Sequence, residues 1–202
     1  MSSVIRVLAL VSVLFLGACV TVAPPSLPAA SIQQFRIADV TVEGIEVIQS
    51  WPVEEGAVVK GEHLPPETVN RLQSEPASNF PVMRAHFQRV LSARFKSEFA
   101  AKVSPLLNGA RPVKAVVRLK KFDVPSVARR ILVDQHAKLQ MDIDLVDPVS
   151  GAILLHYEGP FQSQFLMGGV STVVAVAVEQ ADPTLGMTSD YIGAYGSWLL
   201  KN

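Results

Sequence analysis

The sequence lacks the features that identify most enzymes and nucleic-acid-binding proteins. It contains one cysteine, Cys19, so no disulfide bond can form within the chain. The 18 Lys and Arg residues balance the 18 Asp and Glu residues, which leaves no net charge to attract nucleic acid or an anionic membrane. Patterns such as GxSxG, HExxH, CxxC and GxGxxG are absent. We therefore expect no enzymatic activity, no metal, no cofactor and no nucleic-acid partner.

The apolar run near the start of the chain, Val7 to Leu16, is too short to span a bilayer, which takes about 20 apolar residues. It follows one positive charge, Arg6, and it precedes small residues and Cys19. A charged start, a short apolar run and a small-residue cleavage site are the pattern of a secretory signal peptide.

The residues just before and at the cysteine, LGAC, resemble the lipobox of bacterial lipoproteins. The resemblance implies a lipoprotein signal peptide over residues 1–18, cleavage before Cys19, and acylation of Cys19 as a lasting membrane anchor. The residue after the cysteine is Val20. In bacterial lipoproteins an aspartate at this position marks retention in the inner membrane, so a valine here resembles the pattern of lipoproteins sorted to the outer membrane. We therefore expect a protein anchored on the periplasmic face of the outer membrane. The alternative is an ordinary secreted protein with an incidental cysteine.

The mature chain is predicted to divide into a tether and one domain. Pro24, Pro25 and Pro28 disfavour helix and favour extended chain. Residues 19–34 are therefore predicted to be a lipidated, Pro-rich tether that holds the domain about 40 Å from the bilayer. Residues 35–202 are predicted to form a single periplasmic domain.

Periodicity predicts the first half of this domain. Residues 35–43 alternate with one change of phase, which indicates a strand that either contains a bulge or is covered on both faces. Residues 79–103 carry apolar side chains at spacings of three and four, which predicts a helix capped by Ser78 or Asn79. Its core-facing stripe consists of Phe80, Met83, Phe87, Val90, Leu91 and Phe95. Residues 49–78 show no period and are predicted to be a long loop, either functional or poorly ordered.

Strict alternation predicts two strands over 113–119 and 137–145, and a third strand over 152–158 after a turn. In the expected register of the hairpin, Leu145 faces Ile153 and Asp142 faces His156.

Two more helices are expected in the last part of the chain, a buried one over about 170–180 and another over about 189–200. The second should be capped by Thr188 or Ser189 and should bury Trp198. The predicted fold class is α+β, with a small, largely antiparallel sheet of about four strands and helices packed on one face.

Three residues are candidates for contact with a partner. Trp51 lies in the predicted loop, where an exposed aromatic side chain would indicate recognition. Arg129 and Arg130 lie between strands and could meet phosphate headgroups, although a solvated loop explains them more simply.

Other polar residues have structural explanations. Lys114, Arg118 and Lys120 share a face with Asp142 and Asp144, so ion pairing explains these carboxylates more simply than acid–base catalysis does. The four histidines show no spacing typical of metal ligands.

Residues 109–154 are similar to a family of uncharacterised proteobacterial envelope lipoproteins. The matching residues are Phe122, Arg129, Asp147, Ser150 and Gly151. The resemblance implies helices on one face of a small sheet and supplies no known activity.

The leading functional hypothesis is a membrane-anchored, non-enzymatic module that binds or helps to assemble an envelope protein or complex. The alternative is a periplasmic lipid or small-ligand carrier with an apolar cavity between helix 79–103 and the sheet. A hydrolase is the third hypothesis.

Overall fold

The computed structural model describes residues 22–126, 129, 136–165 and 182–201. Its strands are β1 (Phe35–Glu43), β2 (Arg111–Asp123), β3 (His136–Val146), β4 (Ile153–Glu158) and β5 (Gln162–Phe165). Its described α-helices are α1 (Ala29–Ile32), α2 (Pro52–Glu62), α3 (Pro66–Leu72), α4 (Pro81–Lys102) and α5 (Pro183–Leu199). Short 3₁₀ turns cover Ile45–Val47 and Ala77–Asn79.

The sheet confirms the predicted α+β class. Its strand order is β1-β2-β3-β4, and β5 also pairs with β3. The β1–β2 pair is parallel because helices α2 to α4 carry the chain back between the two strands, and all other pairs are antiparallel. Of the two alternatives expected for β1, the bulge is present, between Ile37 and Asp39.

Helix α4 confirms the periodicity over residues 79–103 and packs its apolar stripe on the sheet. Met83, Phe87, Leu91, Phe95 and Phe99 are all fully buried. The interface between this helix and the sheet is therefore filled by side chains. The N-cap differs from the prediction: it is Phe80, without a side-chain cap, while Ser78 donates its hydroxyl proton to the carbonyl oxygen of Glu46 over 2.8 Å.

The prediction of a long loop over 49–78 is wrong, because this stretch forms α2 and α3. Each helix begins with a proline, Pro52 or Pro66, whose fixed φ suits the first helical turn. Glutamates in both first turns complement the helix dipole. Gly56 and Gly61 weaken the apolar period of α2, and α3 has only seven residues, so neither helix carries a strong sequence signal.

The hairpin between β3 and β4 keeps its predicted faces but shifts in register by two residues. Leu145 pairs with Leu155, and Asp144 lies opposite His156. A bulge beside Val146 and a tight turn, in which Gly151 has a φ of +73°, absorb the extra residues. Ile153, predicted to point inward, is 57% exposed.

Helix α5 begins six residues earlier than the predicted last helix. Asp182 is its cap and accepts a hydrogen bond from the Thr184 N–H over 2.9 Å, in place of the predicted caps Thr188 or Ser189. A proline after a capping residue favours a helix start as readily as a helix stop. The expected helix over 170–180 lies outside the described residues. Trp198 is buried, as predicted.

Residues 22–34 do not form the expected extended tether. The indole N–H of Trp198 donates to the carbonyl oxygen of Ala23 over 2.6 Å, and Ile32 is buried in the core. Val22 and Leu27 also pack against the core. Burial of these apolar side chains favours docking over extension.

The topology gives the domain two distinct ends. β1 and β2 start at the end where the turn between β3 and β4 lies, because β1 is parallel and β3 antiparallel to β2. Helix α4 also finishes there, because the chain that follows it pairs Asn108 with Arg36 at the start of β1 before β2 begins. Helix α5 runs parallel to α4, since Arg94 contacts Thr184 at the start of α5 and Lys102 contacts Ser189 further along, so α5 finishes at the same end. We call this end the hairpin end, and the opposite end, where β2 finishes, the groove end.

Candidate functional site

An open groove of about 940 Å³ lies at the groove end, between α2, α3 and the last residue of β2. Polar groups and apolar side chains both contribute to its walls. The lining residues are Gln49, Ser50, Pro52, Glu55, Gly56, Val59, Val69, Leu72, Gln73, Ser74, Glu75, Pro76, Asp123, Ser126 and Arg129. A cleft of this volume is in the range of small-molecule sites, and its mixed lining also suits a peptide segment.

The two helices that form the groove meet at a tight corner. α2 ends at His63, which has a left-handed φ of 49°, and α3 starts directly after Pro65. Val59 and Leu72 line the groove and also pack against the core. The groove wall is therefore anchored by apolar contacts on its inner side.

Asp123 and Arg129 form a paired charge on the opposite wall. The guanidinium of Arg129 donates to both carboxylate oxygens of Asp123 over 2.8 and 2.9 Å. Asp123 is the last residue of β2 and is 7% exposed, while the Arg129 side chain is 40% exposed. This bidentate geometry fixes the plane of the guanidinium.

Glu55 supplies a second carboxyl to the groove. Its Oε1 atom accepts a hydrogen bond from the Trp51 backbone N–H over 2.5 Å. Partial burial raises the pKa of Glu55, although hydrogen bonds from the Trp51 backbone and the Ser50 hydroxyl oppose the rise. The third groove carboxyl, Glu75, accepts hydrogen bonds from the Arg71 guanidinium over 2.7 and 3.0 Å, so all three already hold bonds within the protein.

Trp51 is not the exposed contact residue that the sequence predicted. It is fully buried, and its ring lies 4.9 Å from the ring of Phe122 and 5.5 Å from that of Phe87. Its indole N–H donates to Asp182 over 3.2 Å. The prediction failed because the residues that bury Trp51 come from α4, β2 and the start of α5.

Asp182 is the centre of a buried polar cluster beneath the groove. It accepts from the Arg94 guanidinium over 2.7 Å and from the Thr184 hydroxyl over 2.6 Å. The guanidinium of Arg94 also stacks over the Trp51 ring at 4.9 Å. The cluster ties the N-terminus of α2 to α4 and α5, so it sets the position of the helix that lines the groove.

The charged face of the sheet pairs as predicted at two positions. Arg118 forms an ion pair with Asp144, and Lys120 lies 2.9 Å from Asp142. His156 also contacts Asp144, over 2.6 Å. Contrary to the expected wet face, both aspartates are buried, with exposures of 1% and 6%.

The histidines in the described part of the chain show no metal site. His86 bonds Glu54 over 2.6 Å and His156 bonds Asp144, while the described residues include no group of three or more potential ligands. Within the described helices, none is both long and apolar enough to cross a membrane.

Two of the predicted site residues, Cys19 and Arg130, lie outside the described residues. Of the two predicted contact residues that the structure describes, Arg129 lines the groove and Trp51 does not. Glu55 and Asp123 were not predicted as site residues; the acidic first turn after Pro52 is the signal that points to α2 and hence to Glu55. No family model, no curated protein and no solved structure matches this chain.

Proposed function

We propose that this chain is an envelope lipoprotein, anchored through acylated Cys19 to the periplasmic face of the outer membrane. Its folded domain acts as a non-enzymatic module that binds an envelope protein through the groove between α2, α3 and β2. The lipobox-like residues LGAC support the anchor. The open groove is the observation that carries the binding role.

The chemistry of the groove favours binding over catalysis. Asp123 is held by Arg129, Glu55 by the Trp51 backbone and Glu75 by Arg71, so each groove carboxyl has a structural partner. The apolar residues Val59, Val69 and Leu72 offer a surface for an aliphatic or aromatic side chain of the partner. A polar margin around an apolar centre is the usual anatomy of a protein interface.

The alternative function, a carrier of a lipid or another small ligand, is favoured by the volume of the groove. About 940 Å³ would hold such a ligand. The cavity first expected for a carrier, between α4 and the sheet, is occupied by the fully buried side chains of α4. A carried ligand would therefore have to occupy the open groove.

Site-specific photo-crosslinking in cells tests this proposal. A photoreactive amino acid at Val69 should yield one discrete crosslinked protein band, whereas the same group at Asn70, exposed on the same helix, should yield much less. Charge reversal with Arg129→Glu should reduce the Val69 band. The carrier would be supported instead if no crosslinked protein band formed, and if a lipid co-purified with the wild-type protein but not with the Arg129→Glu variant.

Membrane attachment is tested separately. Cys19→Ala should move the protein from the membrane fraction to the soluble fraction. Retention in the detergent phase after this substitution would contradict the anchor.

A further inference from the structure

The first described residues are held at a defined place on the domain. The Ala23 carbonyl oxygen accepts a hydrogen bond from the indole N–H of Trp198 over 2.6 Å. Trp198 is 3% exposed and lies in the last turn of α5, where it packs against Tyr157 and Tyr195. The chain therefore leaves the domain beside the C-terminus of α5, at the hairpin end.

The length of chain between this point and the anchor is short. Ala23 follows Cys19 by four residues. Because an extended chain spans at most about 3.6 Å per residue, Cys19 lies within about 14 Å of Ala23. An acylated Cys19 in a bilayer would keep the hairpin end next to the lipid headgroups.

The surface at the hairpin end has the chemistry to meet headgroups. Three of its large apolar side chains are exposed, namely Val149 at 95%, Leu200 at 63% and Ile153 at 57%. Arg36 and Arg111, in the first residues of β1 and β2, are also exposed. Exposed apolar tips beside arginines are suited to the interface between headgroups and acyl chains.

We propose that the hairpin end is the membrane-facing surface of the domain and that the bilayer itself is its occupant. The proposal rests on the proposed acylation of Cys19. It places the groove on the far side of the domain, since β2 runs for 13 residues between the two ends. At about 3.3 Å per residue, the groove opens roughly 40 Å from the bilayer. The folded domain, rather than an extended tether, provides this reach.

Two exposed leucines at opposite ends of α5 give a matched test of the proposed orientation. Leu200 follows the C-terminus of α5, whereas Leu185, at 54% exposure, lies in its first turn. Fifteen residues of helix place them about 22 Å apart. Leu200→Cys and Leu185→Cys would each carry an environment-sensitive fluorophore, since acylation consumes the thiol of Cys19.

The full-length mature lipoprotein would be reconstituted in vesicles of phosphatidylethanolamine and phosphatidylglycerol that contain a headgroup nitroxide quencher. We expect quenching at position 200 to exceed that at position 185 several-fold. Equal quenching at both positions in vesicle-bound protein would overturn the proposed orientation while leaving the anchor intact. Mass spectra without acyl chains, together with a failure to float with the vesicles, would overturn both the anchor and the orientation.

A linker variant tests the cause of the orientation without altering a described contact. Ten Gly and Ser residues inserted between Val20 and Thr21 would lengthen the connection to the bilayer. Quenching at position 200 should then fall towards the value at position 185. Unchanged quenching in the linker variant would overturn the inference that the short chain to Ala23 holds the hairpin end at the membrane.

Discussion

Each end of the domain contains a buried tryptophan, but the two indole rings make different kinds of contact. At the groove end, the indole of Trp51 lies under the Arg94 guanidinium and donates to the Asp182 carboxylate. At the hairpin end, Trp198 packs among tyrosines and donates to a backbone carbonyl, that of Ala23. The groove end thus depends on a buried ionic cluster, whereas the hairpin end depends on aromatic packing and a neutral hydrogen bond.

The chemistry around each tryptophan predicts which end of the domain is more sensitive to a single substitution. A hydrogen bond to a charged group contributes about 1.5–3 kcal/mol, and a neutral one contributes about 0.5–1.5 kcal/mol. Removal of one member of a buried ionic cluster also leaves the remaining charge without its partner. We therefore expect the groove end to lose more stability than the hairpin end when the contacts of its tryptophan are disturbed.

The largest effect is expected for Trp51→Ala. The substitution removes a fully buried indole and a donor to Asp182, and should lower the free energy of unfolding by about 3–5 kcal/mol. Urea denaturation followed by circular dichroism measures the change. A loss below about 1 kcal/mol would show that the ring is not part of the core.

Asp182→Asn tests the ionic cluster itself. It keeps the shape of the cap but removes the negative charge next to Arg94, whose side chain is 11% exposed. We expect a loss of about 3 kcal/mol in the free energy of unfolding. Asp190→Asn, at an exposed position of the same helix, is the control and should cost less than about 0.5 kcal/mol. Similar urea midpoints for the two variants would contradict a stabilising cluster at the groove end.

Elements with strong periodicity could be predicted from sequence. The structure has β1 at its expected bounds and α4 within two residues of them. The α2 and α3 helices could not be predicted in this way, because two glycines interrupt the apolar face of α2 and α3 is only seven residues long. The hairpin register was also ambiguous, since a slip of two residues leaves every side chain on its original face.

The candidate groove was harder to predict than the fold. Glu55 and Asp123 come from α2 and β2, and only the packing of the domain brings them to one cleft. Trp51 illustrates the same limit, because the Asp182 carboxylate that accepts its N–H lies 131 residues away in sequence. Local composition around Trp51 carries no information about such a partner.

Trp198→Phe tests the hairpin end with a smaller change. The phenyl ring keeps an aromatic contact with Tyr157, but the hydrogen bond to Ala23 is lost. We expect a loss of about 1 kcal/mol, together with faster proteolysis of residues 22–34. Trp51→Phe is the matched substitution at the groove end and should cost more. A larger loss for Trp198→Phe than for Trp51→Phe would reverse the ranking of the two ends.

The smallest effect expected is a difference in how one carboxyl at each end titrates. Hydrogen bonds from the backbone of Ser150 and Val149, and then the Arg111 side chain, lower the pKa of Asp147 at the hairpin end to about 2. Partial burial raises the pKa of Glu55 at the groove end. NMR titration of the two side-chain carboxyl carbons should therefore place the Asp147 midpoint well below that of Glu55.

These shifts have opposite consequences for stability. The folded state binds the Asp147 proton less tightly than the unfolded chain does. The ionised Asp147 side chain therefore stabilises the fold fully above the unfolded pKa of about 3.9, and this stabilisation is lost as the pH falls through about 2. For Glu55 the folded state favours the proton, so its contribution is present at low pH and is lost as the pH rises through the folded pKa. Glu55→Gln should thus raise the thermal unfolding midpoint at pH 7 and have less effect at pH 4. Asp147→Asn should lower this midpoint at pH 7 and have much less effect near pH 2. A shift of the midpoint in the same direction for both substitutions at pH 7 would contradict the opposite pKa shifts of Asp147 and Glu55.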